Sequence, residues 1–501
     1  MTEEPPGDVP DDLPEQMKVR REKRDRLIAD GADPYPTGFP RTTTLRELRE
    51  SYPDLAPDVS TGSRVGVTGR VIFVRNTGKL CFASIREGDG AELQVMLSQD
   101  RVGADSLAAW KSTVDIGDHV GVEGEVITSK RGELSVLADR WALTSKALRP
   151  MPVAHKPMSE ETRVRQRYLD LIGRPEARQM VQIRATTVRT LRDGLHRRGF
   201  IEVETPMLQA VHGGAAARPF RTHINAYDMD LYLRIAPELF LKRAVVGGIE
   251  KVFEINRNFR NEGVDATHAP EFAMLEVYEA YGDYDTMATL TRELVQECAT
   301  AVFGSTTVRH LDGSRHDLGG EWPAVSLYDC VSAALGEPVT PETPREKLQA
   351  YAAEHHLAVT AEWSTGKVLE ELFEGLCVRQ LPEVVFVRDF PLDNSPLVRA
   401  HRSRPGVAEK WDLYGFGVER ATGYSELVDP VVQRERLLEQ SAAAGRGDPE
   451  AMALDEDFLR ALEHGMPPTG GMGMGVDRLL QLLTGSRGIR ETILFPFVRP
   501  D

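Results

Sequence analysis

Between about residues 60 and 147, apolar residues recur at every second position in short runs: Val65 and Val67, Val71 and Phe73, Leu93-Val95-Leu97, Val120 and Val122, Leu134 and Val136. A period of two puts alternate side chains on opposite faces, so each run predicts a half-buried β-strand. Turn-forming residues separate the runs, at Asn76-Thr77-Gly78, Asp89-Gly90 and Arg131-Gly132. About five such strands in under a hundred residues predict a small antiparallel barrel or sandwich. A linker over 148–162 follows, carrying Pro150, Pro152 and Pro157. Beyond it, helical patterns over 181–197 and 285–303 mix with strands such as Lys251–Ile255 and Val384–Val387. These do not alternate regularly, so an α+β domain over 163–501 with an antiparallel sheet fits better than a doubly wound one.

Ahead of the barrel, residues 1–59 divide in two. The start, with Pro5, Pro6, Pro10 and Pro14 among acids, reads as a loose tail. Lys18–Arg26 (KVRREKRDR) predicts a charged helical arm, either a solvated face or a surface that touches RNA. Lys+Arg number 61 against Asp+Glu 77, a formal charge of −16, so any nucleic acid must meet a local basic patch rather than an attractive overall field. Cys81, Cys298, Cys330 and Cys377 form no CxxC pair, which argues against zinc or a disulfide framework. Without a signal-peptide pattern or a run of roughly 18 apolar residues, a cytoplasmic protein with no membrane partner is expected.

Four segments mix charge, glycine and aromatics where a plain core element would not: Gly199–Pro206 (GFIEVETP); Phe259–Gly263 (FRNEG) with Thr267–Phe272 (THAPEF) and Glu276-Val-Tyr278; Asp412, Glu419 and Thr422–Glu426 (TGYSE); and Gly473–Arg478 (GMGVDR). Strand alternation puts Glu276 and Tyr278 on one face, where burial demands polar partners. Gly470–Gly475 (GGMGMG) is not a dinucleotide loop, because Val476 stands where its third glycine is required.

Together these segments resemble the three signature motifs of class II aminoacyl-tRNA synthetases. Longer stretches narrow the resemblance to the lysyl family: RVRQRYLDLI (163–172), GGAAARPF (213–220), YLRIAPELFLKR (232–243), FEINRNFRNEG (253–263) and ALEHGMPPTGG (461–471). The resemblance implies a catalytic domain of the class II fold behind an N-terminal OB-fold, and ligation of L-lysine to lysine tRNA at the expense of ATP with Mg²⁺. It implies that Arg260 bridges the lysine carboxylate and the α-phosphate, and that Glu262, His268 and Phe272 surround ATP, with Arg478 covering the other face of the adenine. Asp412 and Glu419 match metal-binding acids, Asp412 standing where Glu is more usual. Gly214, Glu238, Arg260, Glu276, Tyr278, Thr422, Tyr424 and Glu426 match the lysine site. Arg75, Phe82, Gln94 and Glu133 match positions that read the central anticodon base, although Phe82 read by itself also suits a core position. The motif 1 segment implies a homodimer. The loop Asp265-Ala-Thr-His268-Ala-Pro and Thr422, which replaces a usual Asn, resemble the synthetase half of actinobacterial bifunctional lysylphosphatidylglycerol synthetases. Two other readings stay open: lysyl transfer to another acceptor or into lipid, and a catalytically silent RNA-binding paralogue.

Overall fold

A computed structural model describes residues 14–152, 158–360, 363–445 and 452–499. The acidic tail over 1–13 and linker residues 153–157 lie outside the described residues. The chain forms two compact units, Met1–Arg178 and Gln179–Asp501.

In the first unit, β1 (Ser60–Thr77), β2 (Leu80–Arg86), β3 (Glu92–Ser98), β4 (His119–Thr128) and β5 (Leu134–Ser145) close a barrel in the order β1-β2-β3-β5-β4. The alternating runs supply its interior: Val67, Val71, Ile85, Val95, Val120 and Val122 are fully buried. Antiparallel pairing holds at four junctions, but β3 and β5 run parallel. The reason is arithmetic, since strand direction cannot alternate all the way round a closed ring of five. The charged arm is helix α1 (Glu15–Ala29). Its basic residues are not all solvated: Arg20 donates to the Ile116 carbonyl at 2.8 Å, and Lys23 pairs with Asp115 at 2.7 Å.

The second unit is built on an eight-stranded sheet. Its strands are β6 (Ile201–Glu202), β7 (Lys251–Phe259), β8 (Glu271–Ala280), β9 (Ala324–Ser326), β10 (Val384–Arg388), β11 (Lys410–Gly415), β12 (Val418–Ser425) and β13 (Thr469–Gly475). They lie in the order β9-β10-β11-β12-β13-β8-β7-β6. The six central strands are antiparallel, and only the short edge strands β9 and β6 pair in parallel. One face carries the core: Leu275 and Val277 of β8 and Met472 and Met474 of β13 pack with Leu191, Leu290, Leu294, Leu479 and Leu482. Leu290 and Leu294 come from α2 (Tyr284–Phe303), whose start is fixed by a capping box in which the Asp283 carboxylate accepts from the Asp285 and Thr286 amides. The opposite face of the sheet is left to chemistry.

Candidate active site

The strand register lays the sequence-predicted residues out in rows. Across the open face, Glu276 of β8, Gly473 of β13, Thr422 of β12 and Asp412 of β11 are cross-strand neighbours. In the next row stand Tyr278, Gly471, Tyr424 and Lys410. The GGMGMG stretch is therefore a strand, with its methionines in the core and Gly471, Gly473 and Gly475 on the open side. Bare backbone at the centre of the sheet leaves room for a ligand, and a cavity of about 890 Å³ opens there. Its wall includes Gly214, Glu238, Arg260, Glu262, His268, Phe272, Glu276, Tyr278, Asp412, Glu419, Thr422, Tyr424 and Arg478. Thirteen of the fourteen predicted catalytic-domain residues thus meet in one place.

At one end, β7 runs out into the loop that carries Arg260. The Arg260 guanidinium lies 5.1 Å from the centroid of the Phe272 ring, and its Nε is buried with no hydrogen-bond partner. Burial lowers its basicity, with Glu262 and Glu419 opposing, although an arginine in such company stays charged. Glu262 accepts from the Arg218 amide at 3.1 Å, fastening this loop to the 213–218 segment. His268 is exposed, and Asp265 receives its backbone amide at 2.9 Å and lies 2.9 Å from its Nδ1. Those hydrogen bonds hold the Asp265 carboxyl well below the usual range, led by the one from the Thr267 amide. Arg478 donates to the Glu419 carbonyl at 3.2 Å and stands 3.5 Å from its carboxylate.

Asp412 is buried, and its Oδ1 has no hydrogen-bond partner. Burial raises its carboxyl, Lys410 opposes at 3.3 Å, and the nearby Glu419 charge reinforces the rise. Two carboxylates facing a cavity, one with a free oxygen, form a donor set of the kind that holds Mg²⁺ together with substrate phosphates.

The other end is a pocket of acids and phenols. Tyr278 donates to Glu276 at 3.1 Å, and Tyr424 donates to Glu238 at 2.8 Å. Burial, with Glu238 adding to it, raises the Glu276 carboxyl well above its ordinary value. Gly214 sits at φ +89°, and a Cβ there would come within 3.1 Å of the Glu238 side chain, so the loop reaches the pocket only as glycine. Glu426 is the one predicted residue absent from the wall. It lies behind, 1% exposed, against Gly471 and in contact with the Lys242 ammonium. Thr422 turns its hydroxyl to the Trp411 carbonyl at 3.4 Å.

Sequence reading missed two cations. Lys242 lies within the 232–243 stretch, one helical turn after Glu238, and Lys410 two residues before Asp412, yet neither was singled out as a site residue. On the barrel, Phe82 opposes Arg75 across β1 and β2 and lies outside the core cluster, while its neighbours Cys81 and Ala83 point inward. Gln94 bonds Ser135 at 2.8 Å, and Glu133 pairs with Arg49 at 3.0 Å. Phe73, which the alternation with Val71 put on the same buried face, is 52% exposed, because the strand register shifts between the two residues.

Comparison with known proteins gives these sites a setting. Residues 159–499 match the class II tRNA synthetases (D, K and N), and residues 65–144 match an OB-fold nucleic acid binding domain. The lysine-tRNA ligase of Kineococcus radiotolerans is 63% identical over 99% of both chains. That of Mycolicibacterium gilvum is 62% identical over 98% of both. The chain belongs to the lysine-tRNA ligase family. A lysylphosphatidylglycerol biosynthesis bifunctional protein of Rhodococcus opacus is 50% identical across 97% of this chain, which spans 43% of that protein. The standalone lysine-tRNA ligases thus match more strongly than the bifunctional protein that the Asp265–Pro270 loop and Thr422 resemble. Among the described residues, no helix is long and apolar enough to cross a membrane.

Proposed function

We propose that the protein is an ATP-dependent ligase that joins L-lysine to lysine tRNA through a lysyl-adenylate. The observation that carries this reading is the glycine strand flanked by an arginine-aromatic pair at one end and a pocket of three buried acids at the other. In the first step a lysine carboxylate oxygen bonds to the α-phosphorus of ATP while the bond to pyrophosphate breaks. Two anions must be brought together, so the work is positioning and charge neutralisation rather than nucleophilic catalysis by a side chain. Arg260 supplies that charge between carboxylate and α-phosphate. Phe272 stacks on the adenine, Arg478 covers its other side, and Glu262 and His268 close around the nucleotide. Asp412 and Glu419 would hold Mg²⁺, which when bound supplies charge neutralisation for the phosphates. The Gly214 carbonyl and the carboxylates of Glu238 and Glu276 take the ammonium groups, with Tyr278, Tyr424 and Thr422 around them and Glu426 adding charge from behind. In the second step a ribose hydroxyl of the tRNA terminus bonds to the lysyl carbonyl carbon and AMP leaves.

Residues 60–147 serve as the anticodon-binding domain and 163–501 as the catalytic domain. Arg75, Phe82, Gln94 and Glu133 read the central base by stacking and edge hydrogen bonds, Glu133 exchanging its Arg49 partner to do so. Ile201 and Leu208, each at least half exposed, support a homodimer through the segment that follows the helix over 175–197. The reading also takes the protein to act in the cytoplasm. Charging of lysine tRNA with each of the twenty amino acids tests it: acylation with lysine alone is expected, and failure to acylate any tRNA would favour the silent paralogue.

A further inference from the structure

Behind the wall of the pocket lies a buried lysine. Lys242 lies on the helix Glu238–Val246, one turn after Glu238, and its side chain is completely buried. Its ammonium stands 2.6 Å from Glu238 Oε1, in contact with Glu426, and 5.9 Å from the centroid of the Tyr424 ring. A lysine is almost never fully buried unless paired, and here one cation spans two carboxylates. Glu238 is thereby held from both sides, Lys242 on Oε1 and the Tyr424 hydroxyl on Oε2. Glu426 keeps Oε1 without a partner, pressed towards the space that Gly471 leaves open.

We infer that Lys242 is a positioning and specificity-determining residue: an internal ammonium that fixes Glu238 and Glu426 before substrate arrives and so sets the length of diamino acid the pocket accepts. The inference rests on the assignment of this pocket to L-lysine. Without Lys242 two buried carboxylates face each other uncompensated, and one must rotate or take up a proton. The acceptors for the substrate ammonium then lose their fixed place. A shorter diamine can be met by a carboxylate that has moved, and the correct one no longer finds an acceptor already aimed.

Lys242→Met and Lys242→Gln test this in lysine-dependent ATP–pyrophosphate exchange, with L-ornithine as the shorter competitor. Lysine KM is expected to rise roughly 10- to 100-fold, the scale of a lost bond to a charged group. The ATP KM and the kcat at saturating lysine are expected to stay within about twofold, and the lysine-to-ornithine ratio of kcat/KM to fall roughly tenfold or more. A folded variant with wild-type lysine KM and ratio overturns the inference. So does an equal loss in both KM values and kcat, which marks a merely structural residue. Absence of lysine-dependent exchange in the unaltered protein would instead overturn the pocket assignment. If neither variant folds, a crystal structure of the unaltered protein with L-lysine decides: Lys242 is expected to keep both carboxylates, and its displacement from both overturns the inference.

Discussion

Glu276 presents the sharpest electrostatic problem in the pocket, because burial and then the neighbouring Glu238 push its carboxyl well above the ordinary range and so favour its neutral form. A charged carboxylate is the stronger acceptor for an ammonium, so binding lysine favours the deprotonated form. Calorimetry in buffers of different ionisation heat is therefore expected to show net proton release as lysine binds. The sign follows from a raised pKa: as pH climbs from the ordinary carboxylate range towards the raised value, the release shrinks and lysine affinity grows. No proton release, and no gain in affinity with pH, would mean that Glu276 is already charged. Thr422 offers a second test, because its short side chain turns its one hydroxyl to the Trp411 carbonyl at 3.4 Å. Thr422→Asn brings an amide that can donate to the lysine carboxylate, worth about 1.5 kcal/mol or more, so lysine Kd is expected to fall roughly tenfold. An unchanged Kd would show that nothing is missing at this position.

The central strand β13 explains why a glycine-rich stretch that failed as a nucleotide loop nonetheless belongs to the site. Gly473 lies between Glu276 and Thr422 of the neighbouring strands, and Gly471 has Tyr278 on one side and Tyr424 on the other. Adding a Cβ at Gly471 puts a methyl onto Glu426 and 2.8 Å from the Tyr278 ring. Gly471→Ala is therefore expected to cost about 1–3 kcal/mol of stability in denaturant unfolding and to weaken lysine binding. The barrel face makes a separable prediction. Phe82→Ala should raise the tRNA KM by the equivalent of about 1–3 kcal/mol, while tRNA-free pyrophosphate exchange continues unchanged. Equal loss of both, with the fold intact, would return Phe82 to the core. Such strands were legible in the sequence because period-two alternation reports which face is buried, and Glu276 and Tyr278 fell on one face as expected. Register is not written in that signal. Nothing local to Lys410 shows that it stands opposite Tyr424, and the buried helical layer around Leu348 and Leu369 gave no motif to read.

 The helices over 327–376 bury Leu327, Leu348, Leu369 and Phe373 among themselves and against Val385 and Val387, a layer whose apolar positions carry no chemistry that would have announced it.

Across the chain as a whole, what could be read in advance was what residue type and order encode. The barrel and the antiparallel sheet follow from runs and turns, and thirteen of the cavity's wall residues from the resemblance to the lysyl family that the motifs carry. What could not be read was the long-range partner of a charge, because Lys242 lies far in sequence from Glu426 and Arg49 far from Glu133, and only folding brings them together. In the proposed reaction the sheet-floored cavity activates lysine on ATP, with Arg260 supplying the charge. The most direct measurement is ATP–pyrophosphate exchange by the unaltered protein and by Arg260→Ala, with and without L-lysine, alongside tRNA affinity. Exchange that requires lysine, is lost by roughly a thousandfold in the variant, and leaves tRNA Kd unchanged is the predicted result. Exchange by Arg260→Ala at near the unaltered rate, or exchange that does not depend on lysine, would contradict it.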